Sequence, residues 1–130
     1  MIHITYKENK ITVQNQDELL KKLEEIVYSA DKSNAFCMIE DLDFTLEIWL
    51  IHQKRECILL YIPKDERDDC LISCCGDREK INNPVINIGI GNHTIMCSGY
   101  SILPTSNALK NIKDLYSGVE IDKNKNWFSY

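Results

Sequence analysis

Phe44-Thr45-Leu46-Glu47-Ile48-Trp49-Leu50-Ile51 runs into the polar stretch Gln53-Lys54-Arg55-Glu56, and then into Cys57-Ile58-Leu59-Leu60-Tyr61-Ile62 ahead of Pro63. Side chains alternate across a strand, so the first segment puts Phe44, Leu46, Ile48 and Leu50 on one face and Thr45, Glu47 and Trp49 on the other. The second segment reads as a strand that Pro63 ends, because proline has no N–H to give to a ladder. Two such strands joined by a short polar turn make a hairpin, and this one is expected at the centre of an antiparallel sheet.

Upstream, residues 36–39 read as a further strand. Ile2, Ile4 and Tyr6 alternate with polar neighbours, as do Ile11 and Val13, so the chain is expected to open with a hairpin. Between these, Leu19, Leu23, Ile26 and Ala30, with Leu20 and Val27 beside them, recur at helical spacing. Asn15 followed by Glu18 is a capping-box variant that starts this helix.

Downstream, residues 64–69 form a charge-dense loop, residues 70–75 a short strand and residues 76–84 a second polar loop. The segments 85–90 and 93–97 flank Gly91 and Asn92, which suit a type II′ hairpin turn. That register sets His93 opposite Ile90, Ile95 opposite Ile88 and Cys97 opposite Ile86. After Pro104, Thr105 or Ser106 is expected to cap a second helix with the apolar stripe Ala108, Leu109, Ile112, Leu115 and Tyr116, stopped by Gly118. Trp127 and Phe128 mark a last strand. The order predicts an α+β fold, a mostly antiparallel sheet with two main helices packed on it, with residues 1–130 as a single domain.

The chain has 130 residues, 44% hydrophobic and 27% charged, with a formal charge of −5. That length supports a core without disulfides or a metal, and the balance is globular. Net negative charge opposes direct nucleic-acid binding, which draws on Lys and Arg. The first residues carry no signal-peptide pattern, and the apolar run at 58–62 is too short to span a bilayer. A cytoplasmic protein without a membrane partner is the expectation, with Cys37, Cys57, Cys70, Cys74, Cys75 and Cys97 as free thiols.

Chemistry-bearing patterns are weak. Cys70, Cys74 and Cys75 lack the paired spacing of a zinc site, and adjacent Cys74 and Cys75 would point to opposite strand faces, so no metal or cofactor is expected. His93 is expected to pack on a sheet face or rim, His52 ends a strand, and His3 lies in the first strand. Gly89, Gly91 and Asn92 precede a strand instead of a phosphate-binding helix N-terminus. Asp41, Asp43, Asp77 and Glu79 show no paired acid–base spacing, and the chain reads as a non-enzyme. More informative are two acidic clusters: Asp65, Glu66, Asp68 and Asp69, interrupted by Arg67, and Glu40, Asp41 and Asp43. They read either as solvated loops or as a docking surface that steers a basic partner.

The C-terminal segment carries a resemblance. Pro104, Thr105 and Ser106, Ala108, the helix through Tyr116, Ser117 with Gly118, and Trp127 resemble the closing signature of a bacterial immunity-protein family of polymorphic toxin and contact-dependent inhibition systems, often paired with deaminase and nuclease toxins. The likeness covers about the last quarter of the chain. In that family a proline often follows the glycine, whereas here Val119, Glu120, Ile121 and a Lys/Asn-rich stretch at 123–126 intervene. The resemblance implies an antitoxin that binds a cognate toxin domain with a basic surface and covers its active site or substrate groove. Asp65, Glu66, Asp68, Asp69, Glu40, Asp41 and Asp43 are then the candidate toxin-binding residues, and the signature residues themselves are scaffold. The alternatives are a small cysteine-dependent enzyme that uses His93, and a protein-binding scaffold or regulator unrelated to toxins.

Overall fold

In the computed structural model, which describes residues 1–65, 67–74, 85–119 and 127–130, the central hairpin forms with Trp49 opposite Ile58 and Leu46 opposite Tyr61. The elements in order are β1 (Ile2–Tyr6), β2 (Asn9–Val13), α1 (Gln16–Val27), β3 (Ala35–Glu40), β4 (Phe44–Ile51), β5 (Glu56–Pro63), β6 (Leu71–Ser73), β7 (Val85–Ile90), β8 (His93–Ser98), β9 (Leu103–Pro104), α2 (Thr105–Tyr116) and β10 (Trp127–Ser129). Among the described residues, an eight-stranded sheet runs β10-β6-β5-β4-β3-β1-β2 with β9 on β5, and β7 and β8 form a separate two-stranded sheet. Each pairing is antiparallel. The fold is α+β, a mostly antiparallel sheet with two main helices packed on it. The expectations that fell on Glu66, Cys75, residues 76–84 and residues 120–126 lie outside the described residues.

The alternation in β4 has a partner on each side. Leu46, Ile48 and Leu50 join Cys57 and Leu59 of β5 beneath Leu19, Leu23 and Ile26 of α1 and Ala108 and Ile112 of α2. On the other face Trp49, Ile58, Leu60 and Ile72 pack against Ile95 and Cys97 of the β7–β8 hairpin. A strand covered on both faces has no polar face to show, which accounts for the unbroken apolar run in β5. The hairpin covers only part of its face. Toward β1 and β2 that face carries Thr5, His3, Met38, Glu40 and Glu47, all half-buried.

Local chemistry sets the element ends. Asn15 Oδ1 accepts from Glu18 N at 3.0 Å, while Glu18 Oε2 accepts from Gln14 N at 2.8 Å, so the capping box closes one residue further back than usual. The helix stops at Val27, and Ala30, expected on its stripe, is exposed outside it. The Arg55 guanidinium caps this end, its Nη1 donating to the carbonyls of Val27 at 3.1 Å and Ser29 at 3.3 Å. At α2 the expected hydroxyl cap does not form, and Pro104 occupies the cap position. Thr105 is instead buried, with its N–H donating to the Arg55 carbonyl at 2.9 Å and its hydroxyl 3.7 Å from Cys57 Sγ. Gly118 ends α2 at φ +75°, letting Val119 N donate to the Asp114 carbonyl at 3.2 Å. In the β7–β8 hairpin His93 faces Ile90, Ile95 faces Ile88 and Cys97 faces Ile86. Its turn has a positive φ, +59°, at Gly91 and none at Asn92, as type II′ requires.

Candidate functional site

The β3–β4 turn and the loop after β5 meet at one end of the sheet. Phe44 pairs with Pro63, and Lys64 N donates to the Asp43 carbonyl at 3.0 Å. Beneath them Phe44, Tyr61, Tyr116 and Trp127 pack in a chain, with ring centroids 5.1 Å apart for Phe44–Tyr61, 5.7 Å for Phe44–Tyr116 and 6.3 Å for Tyr61–Trp127. The phenol of Tyr61 is held above its ordinary pKa, first by burial and then by the charges of Asp68 and Asp43, one from each loop. Asp43 and Asp68, one from each acidic cluster, therefore lie at the same end of the sheet.

Their members are not equivalent. Asp41 Oδ2 accepts from the Tyr116 hydroxyl at 2.7 Å and Oδ1 from Leu42 N at 2.7 Å, so this carboxylate braces the turn. Asp65 is forked by Arg67, at 3.0 Å from Nε and 2.8 Å from Nη2, which holds its carboxyl below the usual range. Asp43, Asp68 and Asp69 are exposed, Glu40 is half-buried as the last residue of β3, and Glu66 lies outside the described residues. At the tip, between Asp41 and Asp43, Leu42 is 81% exposed. An aliphatic side chain thus stands in solvent between two carboxylates. Sequence reading passed over it because a leucine beside two aspartates in a turn carries no periodic signal.

The thiols and histidines have structural surroundings. Cys37, Cys57 and Cys97 are buried free thiols. Burial, with a smaller contribution from Cys57, pushes the Cys37 thiol up to about 12, and burial pushes Cys57 up to about 11 and Cys97 upward as well. A nucleophilic cysteine needs the opposite shift. His52 opens a short 3₁₀ turn after β4, 4% exposed, with Nε2 at 3.0 Å from the Tyr6 hydroxyl. Burial, then the positive charges of Lys7 and Arg55, keeps its pKa low. His93 stacks on Phe36 with centroids 4.0 Å apart and planes 15° from parallel, packing on the sheet rim as expected.

That stack borders a cleft of about 460 Å³ between the hairpin tip and the open part of the sheet. Thr5, Phe36, Met38 and Glu47 line it from the sheet, His93 from the hairpin, and Lys7 and Glu8 from the β1–β2 turn. The Trp49 indole N–H donates to Glu47 Oε1 at 3.3 Å and fixes the carboxylate, while Lys7 is ion-paired with Asp31. In the sequence Glu47 was merely the polar member of an alternating strand, and only the return of the hairpin tip makes it part of a concavity. Among the described residues, no group of three or more His, Cys, Asp or Glu is arranged to hold a metal ion, and no helix is long and apolar enough to cross a membrane.

No protein-family model matches the chain, and a search of curated proteins finds no relative.

Proposed function

We propose that this protein is an immunity protein, an antitoxin that binds a cognate toxin domain through its acidic end and covers the toxin's active site or substrate groove. The observation that carries this reading is the meeting of two acidic loops, one of them exposing Leu42, over a packed aromatic base. A toxin that acts on nucleic acid needs a basic groove, and Asp43, Asp68 and Asp69 present the complementary sign. Leu42 supplies an apolar contact among these charges. The C-terminal likeness to an immunity-protein family, from Pro104 to Trp127, supports a toxin as that basic partner. The residues of that likeness support it as scaffold: Ala108 is buried beneath α2, Gly118 ends the helix, and Trp127 fills the main core.

Growth after co-expression tests the proposal. The toxin domain encoded beside this chain's gene should arrest growth alone and be tolerated with the chain present, and the two should co-purify. Arrest unrelieved by the chain, with no complex between the purified partners, would sink it. Replacement of Leu42 by Asp should abolish protection while leaving the unfolding midpoint unchanged, because that side chain contributes almost nothing to either core.

A further inference from the structure

We propose that the cleft between the hairpin tip and the open sheet face receives an arginine side chain carried on a loop of the protein partner. This rests on the reading above that the partner is a basic protein, and it assigns that partner a second point of entry.

The chemistry of the lining selects the guest. Glu47 is half-buried, held in place by the Trp49 indole, and among the described residues no Lys or Arg forms an ion pair with it. Lys7, the cation at the rim, is engaged by Asp31. A fixed carboxylate with open lone pairs, partly out of water, favours a cation that can bring several donors. Beside it the Phe36–His93 stack, both rings lining the cleft, gives flat aromatic surface. A guanidinium pairs with a carboxylate along its edge while it stacks on rings through its flat face, whereas a lysine ammonium is a compact, strongly hydrated point charge without that planar fork. A volume of about 460 Å³ has room for an arginine side chain.

Position ties the cleft to the acidic end. Met38 pairs with Glu47 and Glu40 pairs with Thr45, so Glu40 is the diagonal neighbour of Glu47 on this face. Carboxylates thus lead from the acidic turn through Glu40 to Glu47, and a single basic surface can meet both.

Two measurements on the full chain decide it. First, wild type and Glu47→Gln are compared for affinity to the toxin encoded beside the gene, with Glu24→Gln as an equal charge change on α1. Glutamine keeps the acceptor for Trp49. Glu47→Gln should bind about 30-fold or more weaker, as for a partly buried charge pair that loses one member, and Glu24→Gln should bind like wild type. Equal affinity for all three overturns the cleft proposal and leaves the antitoxin reading intact. Second, acetyl-Gly-Arg-Gly-amide and its lysine counterpart are titrated while backbone amide shifts are followed. The arginine peptide should move the amides of Thr5, Met38, Glu47 and His93, the lysine peptide should move them several-fold less, and Glu47→Gln should abolish the response. If the toxin does not bind wild type, the antitoxin reading fails and this titration alone decides the cleft. A response confined to the acidic loops, or one unaltered by Glu47→Gln, then overturns the arginine site.

Discussion

The Ser73 hydroxyl is fully enclosed and joins two segments far apart in sequence. It donates to the Ser101 carbonyl at 2.7 Å and accepts from the Leu59 N–H at 3.0 Å. Ser73→Ala leaves a buried donor and a buried acceptor without partners, which is expected to cost about 2–4 kcal/mol. Urea unfolding should show this as a lower midpoint at unchanged slope, and an unmoved midpoint would mean that water takes the place of the hydroxyl. Nothing in the sequence sets Ser73 apart from the other serines, because its partners come from β5 and from the turn before β9. Thr105 teaches the same lesson in reverse. A Thr-Ser pair after a proline has the composition of a helix cap, yet Arg55 and Cys57 take up its N–H and hydroxyl. Where the partner is a sequence neighbour, as for Asn15 and Glu18, residue chemistry is legible. Where it arrives from another element, it is not.

Among the elements, α2 and the β3–β4 turn are tied through the Tyr116 hydroxyl, which donates to Asp41 Oδ2 at 2.7 Å. Burial and the adjacent carboxylate raise the Tyr116 pKa, so the phenol remains a donor throughout the neutral range. Tyr116→Phe keeps the ring contact with Phe44 and removes only this bond, so it should destabilise the fold by about 1–3 kcal/mol. Chemical denaturation measures the loss, and Asp41→Asn in the same background should add little, since the two residues act as one pair. Elements with a strong internal period were legible: the faces of β4, the register of β7 against β8 and the apolar stripes of both helices. The end of α1 was not, because the Arg55 side chain that caps it lies beyond two intervening strands.

For the molecule as a whole, charge is unevenly placed, with the acidic loops gathered at one end and Glu40 and Glu47 continuing from them. Changing Asp43, Asp65 and Asp68 together to Asn should slow association with a basic toxin about tenfold at low salt and flatten its salt dependence. Stopped-flow mixing across a salt series reads both effects, and an unchanged slope would remove this end from the interface. Folding should hardly respond, because these are exposed carboxylates and the Arg67–Asp65 pair is a surface contact. The two acidic clusters were visible as composition, but their meeting depends on Phe44 lying opposite Pro63, and the cleft depends on the hairpin folding back over Phe36. Both are long-range contacts that local spacing does not encode.

The sheet is also a wall shared by two rooms. Leu50 and Ile48 face the helices while Trp49, between them on the same strand, faces the hairpin. Sliding β4 by one residue would bring Trp49 under α1 and turn leucines toward the hairpin, emptying both cores of their fit at once. A slip of this shared wall would break both layers together, so heat should meet the protein as one object that gives way in a single step.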